Sequence, residues 1–202
     1  KLAQEKVTIV VPLGRDLTPN GLSVCENTVV RIQAAMQLAG DPDTIMMVAP
    51  GCDQEEMPYT MAVLMSAHLA GVRNRVVNRD DRDVWGTLGE MVWCVLYARK
   101  HFGRSGYDYK IVFVTTPRHA RRVRFIRDLF VFFEDEDITT ADAGDAQISL
   151  IKEVCLAYPK LLFLKLVELM GGDPATFKLP ILQAKRGTRP SLRMLGSILK
   201  RR

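Results

Sequence analysis

An α/β fold, with a mostly parallel sheet of about five strands and helices on both faces, is predicted from three observations. Short β-branched runs alternate with longer helical patterns, the order expected of repeated strand–helix–strand units. The strand runs are continuously apolar rather than alternating, as in a sheet covered on both sides. Glycine, proline and capping residues punctuate the helical segments near their ends.

The first strand is expected over residues 7–13 (VTIVVPL), followed by a helix over 27–39 and a strand over 44–49 (TIMMVA). A second helix over 55–70 leads to a short strand over 75–77 and a third helix over 87–102. The fourth strand is 110–115 (KIVFVT), the fourth helix 117–133 and the fifth strand 138–141. Gly40 and Gly71 suit left-handed C-terminal caps, whereas Asp53, Thr87 and Thr116 suit N-caps. A last helical region, 145–170, is expected to break at Tyr158-Pro159, because proline removes a donor and crowds the preceding turn. With no internal repeat or low-complexity linker, the chain divides into an α/β domain over 1–172 and a basic C-terminal extension over 173–202.

A chain of 202 residues, 48% hydrophobic and 25% charged, can bury a sizeable core and excludes large-scale disorder. Its four cysteines (Cys25, Cys52, Cys94, Cys155) form no C-x-x-C pair. That pattern argues against a zinc ribbon or a secreted disulfide scaffold and suits a reducing, cytoplasmic setting. No apolar run approaches the about 18 residues of a membrane span, and the start lacks signal-peptide order. The chain opens on Lys1, so a leader or anchor upstream stays open. The net charge of +5 is concentrated at one end: eight basic residues and no acid follow Asp173, leaving the body mildly acidic. Such an extension suits nucleic acid or an anionic membrane surface, and equally a solvated tail. The apolar stretch 161–170 could assist at a membrane or pack in the core.

Ligands of open parallel sheets bind beyond the carboxyl ends of the strands, where strand order reverses. That rule selects Gly14-Arg15-Asp16, Gly51-Cys52-Asp53, Asn78-Arg79-Asp80 and the segment from Thr116 to His119. Gly14 and Gly51 would admit a ligand close to the backbone, although a turn explains either glycine equally well. Arg15 and Asp53 join them as candidate contacts. Neither loop carries a G-x-G-x-x-G or a Walker pattern.

The fourth loop says most. With Thr116 as N-cap and Pro117 at the first helical position, free backbone amides face the sheet edge, which makes an anion site. On the helical wheel Ala120, Val123, Ile126, Leu129, Phe130 and Phe133 form the apolar arc, opposite Arg121, Arg124 and Asp128. His119 and Arg122 fall on the apolar side. An inward guanidinium needs a carboxylate or a ligand anion, and His119 is a candidate catalytic acid or base. The alternative is a structural histidine with Arg122 paired to an internal acid such as Glu90 or Asp53. Arg118 lies at the periphery, as a ligand contact or simply solvated. Thr87-Leu88-Gly89-Glu90 is a capping-box pattern, yet its helix is apolar nearly all round. Burial of that helix would leave Glu90 near the ligand edge. Cys52 has no adjacent histidine, and no two of the three histidines sit at i, i+4, so no metal is expected.

The order of motifs resembles the YdcF-like family, a domain of unknown function also found in SanA and ElyC proteins, over roughly residues 7 to 145. Val114-Thr115-Thr116-Pro117-Arg118-His119-Ala120-Arg121-Arg122 is similar to the family's V-T-[ST]-x-x-H-x-x-R-A segment, with His119 and Arg122 on its characteristic positions. Ala49-Pro50-Gly51 stands at the family's S-G-G, Glu55 or Glu56 at its acid, Arg31 at its first-helix arginine and Gly71-Val72 at its G-V. The family's T-x-E-N is Thr87-Leu88-Gly89-Glu90 here, so roles at the altered positions do not carry over. The resemblance implies a Rossmann-like sheet with a polar crevice, an association with envelope metabolism, and nucleotide-like ligands such as S-adenosylmethionine. It supplies no reaction. The expected function is therefore binding of a small phosphate- or carboxylate-bearing ligand, S-adenosylmethionine or a sugar nucleotide among them, with or without catalysis. The contrasting expectation is a non-catalytic scaffold whose basic tail binds anionic lipid or nucleic acid.

Overall fold

A computed structural model describes residues 6–14, 17–49, 57–78, 86–103, 108–144 and 157–170. Five strands, β1 (Val7–Pro12), β2 (Ile45–Val48), β3 (Val76–Asn78), β4 (Tyr109–Thr115) and β5 (Ile138–Asp142), form one parallel sheet in the order β3-β2-β1-β4-β5. The connecting helices are α1 (Glu26–Leu38), α2 (Met57–His68), α3 (Gly86–Phe102) and α4 (Pro117–Leu129), with α5 (Tyr158–Leu169) after the last strand. This is a three-layer, Rossmann-like α/β fold, as the alternation of patterns predicts.

Strand side chains alternate between two cores. Ile9, Val11, Leu13, Met47, Ile111 and Phe113 pack beneath α3, α4 and α5. Val10, Met46, Val48 and Val114 pack beneath α1 and α2. Both faces are covered, which is why the runs read as continuous hydrophobic stretches. β1 sits at the centre, pairing with β2 on one side and β4 on the other, from Val7↔Tyr109 to Pro12↔Val114. Strand order reverses between β1 and β4, and the crevice of the fold opens at their carboxyl ends.

Several boundaries differ from expectation for physical reasons. The fourth helix stops at Leu129 rather than reaching Phe133: Phe130 is extended and a 3-10 turn follows over Val131–Phe133. The break lets Phe130 and Phe133 both reach the core at 1% exposure while Val131 stays 64% exposed. Gly40 is not left-handed; Ala39 closes α1 with its N–H on the Ala35 carbonyl, whereas Gly71 does take φ +90° beyond α2. Thr87 is not an N-cap. It lies inside α3, which Gly86 opens at φ +65°, a conformation that strains any side chain-bearing residue. The last described helix opens at Tyr158-Pro159, with Pro159 in its first turn, where a missing N–H costs nothing, while the part of the expected 145–170 helical region before residue 157 lies outside the described residues. Residues 145–156, 55–56 and the 173–202 extension lie outside the described residues.

At the amino edge of the sheet, a polar cluster joins α3, β4 and the approach to β5. Tyr109, wholly buried at the start of β4, donates its hydroxyl to Glu136 Oε2 at 2.5 Å. Arg99 of α3 donates from Nε to Glu136 Oε1 at 2.8 Å and from Nη2 to the Phe132 carbonyl at 2.9 Å, with its guanidinium 4.6 Å over the Phe132 ring. Burial first, and then the hydrogen bond to the Glu136 carboxylate, hold the Tyr109 phenol well above its ordinary pKa.

Candidate functional site

The carboxyl ends of β1 and β4 carry the polar residues that the parallel-sheet rule anticipates. β4 ends in Thr115, fully buried, and Thr116, 1% exposed, before Pro117 opens α4 in a conformation that proline favours. Gly14 is buried two residues beyond the last register pair on β1, as Thr116 is on β4, so the two chain ends emerge side by side. Arg31 reaches this edge from α1. Wholly buried, it donates from Nη1 to the Leu13 carbonyl at 2.7 Å, with the Gly14 carbonyl 3.4 Å away.

His119 is the hub of the opposite face. One turn into α4 and 5% exposed, its ring lies between β4, α3 and the next turn of its own helix. Nδ1 is 2.9 Å from Thr115 Oγ1; Nε2 is 2.8 Å from Thr87 Oγ1 and 2.6 Å from Arg122 Nη2. A guanidinium nitrogen can only donate, so Nε2 is the acceptor and the ring is neutral. Its one proton then sits on Nδ1 and is donated to Thr115. Thr87 and Arg122 both direct donors at the single Nε2 lone pair. In this arrangement His119 acts as an acceptor that orients the Arg122 guanidinium.

Thr116 occupies the N-cap position of α4, but its side chain makes no capping bond. Its buried Oγ1 has no hydrogen-bond partner among the described residues. A buried hydroxyl left unpaired costs about 1–3 kcal/mol, so native proteins rarely tolerate one without cause.

The remaining candidates divide clearly. Glu90, 2% exposed, is three residues from Thr87 and hence on the same face of α3, so the helix does bury its acid towards this layer. Arg122 is half-buried, whereas Arg118, Arg121 and Arg124 are exposed. Arg15, Gly51 and Asp53 fall outside the described residues, as do Cys52 and Asp80. Among the described residues, no group of three or more potential metal ligands forms.

Comparison with family models, curated proteins and solved structures finds no match. The residues themselves therefore carry the functional reading. Two of them were not weighed as site residues from sequence. Thr87 reads locally as a helix cap, and only the fold reveals its histidine partner 32 residues away. Arg31 did leave a signal, a lone arginine on an arc otherwise formed by the buried Thr28, Ile32 and Ala35.

Proposed function

We propose that the β1/β4 crevice binds a small ligand through a phosphate or carboxylate group seated at the amino end of α4. The observation that carries this reading is the buried Thr116 hydroxyl at that helix end, which has no hydrogen-bond partner among the described residues. Thr116 would donate to an anion oxygen. Arg122, held at its angle by His119, would supply the compensating charge with a geometry suited to two oxygens. His119 is placed in this scheme as a positioning residue and proton acceptor. Nucleotide-like molecules such as S-adenosylmethionine or a sugar nucleotide offer the required anion, and the resemblance of residues 114–122 to the YdcF-like segment favours that class.

A thermal-shift panel of inorganic phosphate, uridine diphosphate glucose, adenosine diphosphate and S-adenosylmethionine tests the proposal. A binder at a hundred times its dissociation constant stabilises by about 2.7 kcal/mol. Thr116→Val and Arg122→Ala should each weaken binding about tenfold or more. Affinity unchanged in both variants would remove the site from this crevice.

A further inference from the structure

Helix α4 begins against the usual electrostatics of helices. The amino end of a helix dipole is positive and favours acids, yet the first turn of α4 holds none, and Arg118, Arg121 and Arg122 fall within its first six residues. Arg118 stands at i, i+3 from Arg121 and at i, i+4 from Arg122, so like charges also neighbour one another on the helix surface. The chain up to Asp173 is net acidic, and it gathers this positive charge in one place. Further along the helix, Arg127 pairs with Asp128 at 2.7 Å and Arg124 reaches Thr140 Oγ1 on β5. Arg121 is exposed, with neither a hydrogen bond nor an ion pair among the described residues.

The helix also sets the direction of these side chains. Cα–Cβ bonds tilt towards the amino end, so a helical side chain leans back over the turn before it. Arg122 shows that lean, with Nη2 2.6 Å from His119 Nε2 one turn earlier. For Arg118 and Arg121 the same lean leads towards the start of α4, where Thr116 Oγ1 lies buried without a partner among the described residues. The Arg121 Cα is about 7.5 Å along the helix axis from Thr116. The acids described at this edge are Glu90, buried on α3, and Asp142 at the end of β5 in register with Thr115. They are outnumbered by these three guanidiniums and that of the buried Arg31.

We infer that the ligand of this crevice carries a chain of two or more phosphates, the first seated at Thr116 and Arg122 and the next held by Arg118 and Arg121. The inference rests on the reading of the crevice as an anion site and narrows its ligand to one class: a nucleoside di- or triphosphate, or the diphosphate of a sugar nucleotide. S-adenosylmethionine fits less well, because its one carboxylate comes with a cationic sulfonium and an ammonium group. A single phosphate would use Thr116 and Arg122 and leave two guanidiniums at the positive end of the dipole unmatched.

The test is calorimetric titration of the full chain with inorganic phosphate, pyrophosphate and tripolyphosphate at constant ionic strength. Affinity should climb about fivefold or more with each added phosphate, the gain from one further charge-assisted contact. Arg118→Gln/Arg121→Gln should lower tripolyphosphate affinity by about tenfold or more and inorganic phosphate affinity far less, flattening the climb. Both residues are exposed, and removing like charge from the positive end of the dipole should leave the melting temperature no lower than the parent's. Thr116→Val should weaken all three anions. A flat series in the parent, or a climb that the glutamine changes leave intact, overturns the inference, while Thr116-dependent binding of inorganic phosphate would still uphold the crevice. Binding of all three anions that Thr116→Val leaves unchanged overturns the crevice reading itself. A lowered melting temperature in the glutamine variant would assign the arginines to the fold and overturn the inference. An oligonucleotide without terminal phosphates that binds more tightly than tripolyphosphate, and loses that advantage in the glutamine variant, would assign them to a nucleic-acid backbone instead.

Discussion

Both edges of the sheet bury a polar cluster, one at the amino end of β4 and one at its carboxyl end, and they are finished differently. At the amino end each oxygen of Glu136 has a donor, from Tyr109 on one side and Arg99 on the other, and Arg99 spends its remaining reach on the Phe132 carbonyl. At the carboxyl end His119 Nε2 faces two donors with one lone pair, and the Thr116 hydroxyl has no partner among the described residues. Buried polar groups fully satisfied by one another rigidify a fold, whereas incompletely satisfied ones reserve capacity for something that arrives later. The same strand thus begins in a clasp of mutually satisfied groups and ends in a cluster with one hydroxyl left unmatched among the described residues.

Breaking the clasp should have the larger effect on stability. Glu136→Ala removes the acceptor from the wholly buried Tyr109 hydroxyl and from Arg99, whose side chain is 31% exposed and can partly rehydrate. A loss of about 2–3 kcal/mol is expected in chemical denaturation, with ligand affinity at the opposite edge unchanged. Loss of ligand binding in a still-folded Glu136→Ala protein would show that the two clusters are coupled rather than separate.

Next in size is the clasp's response to alkali. The folded state raises the Tyr109 pKa above its reference value of 10.0, so the folded protein holds this proton more tightly than the unfolded chain. The stabilisation is complete below pH 10 and falls as pH rises further, because the unfolded chain then releases a proton that the folded one keeps. Tyr109→Phe should cost about 1 kcal/mol at neutral pH and show a shallower decline above pH 10. Parallel alkaline profiles for the two proteins would mean that other groups control that limb.

How much of this was visible beforehand depends on the distance over which each interaction acts. The strands were legible because a doubly covered parallel sheet imposes continuous apolar runs, and all five appear within two residues of their expected bounds. His119 and Thr116 were legible because helical periodicity and the end of β4 fix their faces. Thr87 was misread because a capping box and an ordinary turn of helix look alike until a partner 32 residues on is known. The clasp left no local trace: Glu136 is 27 residues from Tyr109 and 37 from Arg99, and only the folded sheet brings the three together.

The smallest expected effect has the opposite sign and separates the two edges most directly. Thr116→Val exchanges a buried, unpartnered hydroxyl for a methyl of similar size, removing a desolvation cost without opening a cavity. If the hydroxyl is held in reserve for a ligand, the variant should be up to about 1 kcal/mol more stable in urea while binding the anionic ligand less well. A stabilising change that costs affinity has no counterpart at the clasp, where each polar atom removed leaves a buried partner stranded. Destabilisation by Thr116→Val would instead mean that the hydroxyl already makes a structural bond, and the carboxyl edge would then be as closed as the amino edge.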